Sequence, residues 1–379
     1  MLIKSNILIV LIILLMSIPV YADELIEETF EFSLNSAIEY AIENSKEMEL
    51  QRLEVSKSEL QYAQNKKAVN SAKDLYEITS FMPRTYQVTD EDSINKALVK
   101  NGASMKQVEL ARNISIWNLQ KKENEIRYNV ERSYFDLKRS EQDLTIAQDN
   151  LTVTDKQYNL GQLKFNAGLI SKQQLLGLEL ASAQAQSSRD AAEMMYIIQD
   201  MSFKLSMNLP LVSNLKLTDE IQEVEYQPIE LVEAIEFAFE NNLSLRMVEE
   251  SYEIQKLILK ATSGRFPPVT YKYREQAAEV AKAEINLDNV KNAVEMNVRS
   301  SYLNLITSQK QIETFELMVQ QASDAQRIAE VSFELGQNTA VEVTQANINL
   351  MNAKKSLAQQ IHNYNLAVLD FEYIIGIGK

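Results

Sequence analysis

Apolar residues recur at three- and four-residue steps along most of this chain, as in Ile126, Val130, Tyr134 and Leu137, then Leu144, Ala147 and Leu151. That spacing puts them on one face of an α-helix. Residues 84–209 and 269–379 contain no proline and are rich in Ala, Leu, Gln, Glu, Lys and Met, all strong helix formers. The pattern predicts an all-α fold with helices at about 33–68, 105–163 and 170–208, and again at about 229–262, 274–332 and 338–375. A helix of nearly sixty residues spans roughly 80–90 Å. Alone it cannot bury its apolar stripe, so antiparallel, coiled-coil-like neighbours are required.

The second set of helices repeats the first. "AIEYAIEN" (37–44) returns as "AIEFAFEN" (234–241), 197 residues on. Val130, Ser133, Tyr134, Leu137 and Ser140 return as Val298, Ser301, Tyr302, Leu305 and Ser308, 168 residues on. The second register holds through Phe165/Phe333, Gly168/Gly336, Tyr196/Tyr364 and Phe203/Phe371. The change of offset makes the second copy 29 residues shorter, and the loss falls between its first and second helices. The chain therefore divides into a first repeat (23–210, with an insert at 65–104), a linker (211–228) and a second repeat (229–379, with a short insert at 262–272). Each repeat ends its long helix on Phe-x-x-Gly. Glycine supplies the left-handed backbone needed to stop one helix and start its antiparallel partner, so two hairpin tips are expected at the same end.

The N-terminus stands outside this scheme. Lys4, the apolar run 7–16 and the small residues of "VYA" (20–22) read as a secretory signal peptide covering residues 1–22. There is no Cys, hence no disulfide framework. The formal net charge is −15, which repels phosphate backbones and argues against nucleic acid as a partner. No catalytic constellation, phosphate loop or dinucleotide fingerprint occurs. The single His362 has no Cys or second His with which to share a metal. No metal, cofactor or enzymatic activity is expected. Trp117 and Tyr134, Tyr196, Tyr302 and Tyr364 lie at helical spacing and read as packing residues.

The signal peptide, the duplicated helical unit, the paired Phe-x-x-Gly tips and the Tyr-x-x-Leu of each long helix (Tyr134 and Leu137, Tyr302 and Leu305) together resemble the TolC-type outer-membrane efflux family. The resemblance implies a homotrimer, whose six repeats form a twelve-helix tube in the cell envelope. It also implies that the tips dock a periplasmic adaptor serving an inner-membrane efflux pump or type I secretion system. Carried onto this chain, the docking residues are Phe165, Gly168, Leu169, Ile170, Phe333, Gly336 and Gln337. The family often places gating acids six and nine positions after the tip glycine. Here those positions hold Gln174 and Gly177 in the first repeat, Glu342 and Gln345 in the second. The candidate gate is therefore Glu342, Gln345 and Gln174. Glu342 also sits where a helix dipole favours an ordinary exposed acid.

In the family the inserts supply the strands of an outer-membrane barrel. A membrane strand needs ~9–11 residues. The insert 262–272 holds only "TSGRFPPVTYK", and the insert 65–104 carries Asp90, Glu91, Asp92 and Lys96 where a lipid-facing surface would fall. The expectation is a tube with its barrel reduced or absent, and a capping loop or short helix at that end. Two functions stay open: a trimeric conduit for efflux or secretion, or an exported helical rod without a lumen.

Overall fold

The computed structural model describes residues 29–79, 90–219, 224, 226 and 229–376. The signal-peptide reading of 1–22 lies outside them. The elements run β1 (Thr29–Phe32), α1 (Leu34–Asn44), α2 (Lys46–Thr79), α3 (Asp90–Lys100), α4 (Ala103–Asn166), α5 (Lys172–Ser206), β2 (Asn214–Leu217), α6 (Leu231–Asn241), α7 (Leu243–Ser263), α8 (Tyr271–Glu334) and α9 (Ala340–Ile375). The helices α4 and α8 have 64 residues each, about 96 Å at 1.5 Å per residue. The fold is all-α in character, and among the described residues there is no closed barrel and no helix long and apolar enough to cross a membrane.

The elements depart from the sequence expectation in three places. The single helices predicted at 33–68 and 229–262 are each broken into two. Ser45 accepts from the Met48 amide (3.2 Å), and Asn242 accepts from the Leu245 amide (2.9 Å). Each thus starts a new helix, because a short polar side chain satisfies the orphan amides of a fresh N-terminus. The insert 65–104 is largely helical: α2 runs on to Thr79, and α3 follows as a short separate helix. Finally, β1 pairs in parallel with β2, from Thr29↔Asn214 to Phe32↔Leu217. Four-residue strands are too short for a period-two pattern to show in the sequence.

That small sheet ties residues 29–32 to the linker. Beyond it, the Asp219 carboxylate accepts from the Leu34 amide (2.7 Å) and from the Tyr134 hydroxyl (3.1 Å). Further along the linker, the Tyr364 hydroxyl donates to the Val224 carbonyl (3.3 Å), and the Asn365 side chain accepts from the Val224 amide (3.1 Å).

Each repeat has its own core, and the two cores use matching residues. The first joins Ala37, Ile38 and Ala41 of α1 to Val130, Tyr134 and Leu137 of α4 and Phe203 of α5. The second joins Ala234, Ile235 and Ala238 of α6 to Val298 and Leu305 of α8 and to Tyr364 and Phe371 of α9. The small alanines let α1 and α6 lie close against the long helices.

The repeats meet along α4 and α9. Arg139 donates to the Lys355 carbonyl (3.1 Å), Tyr128 to Asp370 (2.6 Å), and His362 Nε2 lies 3.1 Å from Asp136. The lone histidine thus sits at the repeat interface. Side by side, the helices follow the order α5, α4, α9, α8 in one half of the molecule and α2, α4, α7, α8 in the other. This layer stays open along most of its length, its edge helices α5 and α8 meeting in a small apolar cluster beside the tips.

Candidate functional site: the paired hairpin tips

Both glycines predicted to turn the chain do so in the left-handed region, Gly168 at φ 73° and Gly336 at φ 75°. At the first tip the Leu169 amide donates to the Lys164 carbonyl (2.8 Å) and the Gly168 amide to that of Phe165 (2.9 Å). At the second, Gln337 donates to Ser332 (2.8 Å) and Gly336 to Phe333 (3.0 Å). Both are Schellman stops, which satisfy the last carbonyls of a helix and require the residue at the glycine position to be left-handed. The next helix starts within a few residues on a capping box. Ser171 and Gln174 exchange bonds (2.9 and 3.2 Å), as do Thr339 and Glu342 (2.7 and 3.4 Å). Sequence spacing alone shows these starts, as Ser-x-x-Gln and Thr-x-x-Glu.

Two of the candidate gate residues, Gln174 and Glu342, are therefore the first-turn partners of N-caps, three residues on. The hydrogen bonds from Thr339 hold the Glu342 carboxyl below its usual pKa. Gln345 is exposed and donates to Asn349 one turn on (2.9 Å).

The tips lie together but are not equivalent. Phe333 is 2 % exposed and packs with Leu178, Ala329, Ala340 and Val343, whereas Phe165 is 37 % exposed. Lys164 of the first tip reaches across to the second. It donates to the Phe333 carbonyl and, at 3.3 Å, to that of Glu334, and its ammonium sits 4.2 Å from the Phe333 ring centroid. One cation thus satisfies the C-terminal carbonyls of α8 and pins the two tips side by side. About two turns above, Asn347 donates to Gln157 (2.7 Å) and Gln157 to Glu330 (3.1 Å). This buried polar seam joins α9, α4 and α8 beside a cavity of about 260 Å³.

Leu169, Gly168, Gly336 and Gln337 are exposed and Ile170 is half-buried. Around them Leu163, Leu335 and Val341 also face outward. Lys164, Leu163, Leu335 and Val341 carry no mark in the sequence. Nothing in their spacing separates them from ordinary helix surface, and only the pairing of the tips gives them a place.

A second set of exposed apolar residues runs along the edges of the layer. On α8, Met296, Leu303, Leu317 and Val331 are exposed and share one seven-residue register, in which Lys310 and Asp324 hold the intervening positions. On α5, Leu180, Met194 and Met201 share another, flanked by Ile198 and Leu205. In the other half the edge helix α2 exposes Leu53 and Leu60, again seven apart. A seven-residue apolar repeat is the seam of a left-handed helix pair. These seams have no partner among the described residues. Among the described residues no group of His, Cys, Asp and Glu is placed to hold a metal ion.

Two open four-helix layers sharing a pair of 64-residue helices, with both hairpins turned at one end, match solved structures over most of the chain. The fold is that of the TolC-type outer-membrane channels. The outer-membrane protein VceC of Vibrio cholerae is 14 % identical, with a TM-score of 0.68 over 90 % of this chain and 96 % of its own. The channel-forming protein CusC is 11 % identical, with a TM-score of 0.68 over 90 % and 92 %. The CmeC outer-membrane channel of Campylobacter jejuni is 12 % identical, with a TM-score of 0.62 over 91 % and 86 %. The sequence matches no protein-family model and no curated protein sequence. At these identities the likeness to TolC-type channels lies in the helical architecture, not in individual side chains.

Proposed function

We propose that this protein is the TolC-like conduit of an envelope efflux or type I secretion system, working as a homotrimer. The observation that carries the reading is the pair of unpartnered heptad seams, on α5 at one edge of the layer and on α8 at the other. A layer with complementary edges closes by joining the α5 edge of one copy to the α8 edge of the next. Head-to-tail joining of this kind forms a ring when the rotation closes. Three copies of a chain with two repeats give twelve helices around a lumen. The exposed apolar tips, with Phe165, Leu169, Ile170 and Gln337 at their centre, then ring one mouth of the tube as the docking surface for a periplasmic adaptor coupled to an inner-membrane pump. Glu342, Gln174 and Gln345 stand in the first turns behind that mouth, where a change in hairpin packing would carry them into or out of the lumen.

The test is to image the purified chain without residues 1–22 and to measure its mass by light scattering. Rings with a central hole and the mass of three chains are expected. A monomer at micromolar concentration, or a solid rod, would refute the conduit.

A further inference from the structure

The turn between α7 and α8 lies at the opposite end from the hairpin tips. Its sequence from 254 to 274, "IQKLILKATSGRFPPVTYKYR", holds five cations and no acid, in a chain with 53 acids and a net charge of −15. Lys256 is engaged by Glu253 (2.8 Å). Lys260, Arg265, Lys272 and Arg274 are all exposed. Between them stand Tyr271 and Val269, 91 % and 78 % exposed, the highest values among the large apolar side chains described. Both stand in the acid-free stretch of the chain that holds the most cations; the longer acid-free run 156–178 at the first tip holds three. The adjoining α2–α3 hairpin is mixed in sign: Lys73, Lys96 and Lys100 stand near Glu77, with Asp74, Glu91 and Asp92 on the same two helices. Asn101 joins that hairpin to α7 through the Leu257 carbonyl (2.7 Å).

We infer that this turn is a docking surface for the anionic headgroups of a lipid bilayer, seating that end of the molecule on a membrane without crossing it. Cations close to a negatively charged surface are drawn to it, and an exposed Tyr with an aliphatic neighbour partitions into the headgroup layer, where the ring is dehydrated and the hydroxyl stays wet. The charge points to lipid as the occupant: at the opposite end Lys156, Lys164 and Lys172 stand among Glu330, Glu334 and Glu342, so the unmixed positive charge lies at this end and fixes an orientation. Pro267 and Pro268 stiffen the turn, which keeps Val269 and Tyr271 outward. The inference holds whether or not the chain forms a ring.

Vesicle flotation tests it, using the chain without residues 1–22, since all the packing described lies within 29–376. Binding is expected to vesicles of phosphatidylcholine mixed with phosphatidylglycerol, to weaken with salt, and to be much lower with phosphatidylcholine alone. Each exposed cation removed should cost about fivefold in affinity, so Lys272→Gln with Arg274→Gln should lower binding roughly twenty-five-fold. Tyr271→Ser should lower it severalfold. Lys216→Gln, an exposed site in β2, should leave it unchanged, and all variants should keep the wild-type helical circular dichroism. Equal binding to both vesicle types, no binding to either, full binding by the double variant, or an equal loss from Lys216→Gln would each overturn the proposal.

Discussion

The seam on α8 offers a direct test of assembly. Leu303 and Leu317 are 64 % and 61 % exposed in the single chain. Fully burying a Leu side chain is worth about 1.5–3 kcal/mol, so closing a neighbour over the exposed part of each should contribute about 1–2 kcal/mol. A ring repeats each contact three times. Replacing both by Glu removes these terms and sets two charges in an apolar seam, so the trimer should lose on the order of 6–12 kcal/mol or more. The isolated chain should scarcely notice, because substitutions at exposed positions usually stay within about 0.5 kcal/mol. The expected result for Leu303→Glu with Leu317→Glu is a helical monomer in sedimentation or light scattering where the wild type is a trimer. If the double variant assembled as well as the wild type, the α8 register would not be an interface, and the closure inferred from it would fail.

Gly168→Val with Gly336→Val should cost about 1–2 kcal/mol at each tip, because both residues hold left-handed backbone. A lower melting temperature should accompany lost efflux or secretion, and wild-type transport at unchanged expression would remove the tips from the mechanism. Phe203→Ala and Phe371→Ala, at matching and fully buried places in the two cores, should each cost about 3–5 kcal/mol in urea denaturation; a large difference between them would show that the cores are not equivalent. Burial, with the neighbouring Glu372 charge, raises the Glu131 pKa from 4.5 to about 7. Its protonated form is favoured by folding, so this contribution is full below pH 4.5 and lost as pH rises through 7. Glu131→Gln should therefore match the wild type at low pH and exceed its stability above pH 7 by up to about 3 kcal/mol, and melting curves showing no such divergence would contradict the shift.

Much of this architecture is local and so appears in the sequence. The long helices follow from proline-free runs of helix formers with a three-to-four residue apolar step. The tips follow from glycine at one position per repeat, since only a residue at ease with positive φ completes the Schellman stop. Even the capping boxes are visible, because an N-cap and its partner stand three residues apart. The matching cores were foreshadowed by the repeat itself: Val130 and Val298, or Phe203 and Phe371, keep one register because each fills the same place. What the sequence left open depends on groups distant along the chain. The β1–β2 pair joins residues some 185 apart through backbone bonds that no side-chain pattern encodes. Lys164 matters because a carbonyl of the other repeat happens to end beside it. Phe165 and Phe333 are the same letter in the same motif, yet one is exposed and the other buried, because the layer is open and only one tip has a neighbour on that side. Periodicity fixes which face of a helix seeks cover. Which helix covers it, and which faces remain for another copy, is decided by packing in three dimensions.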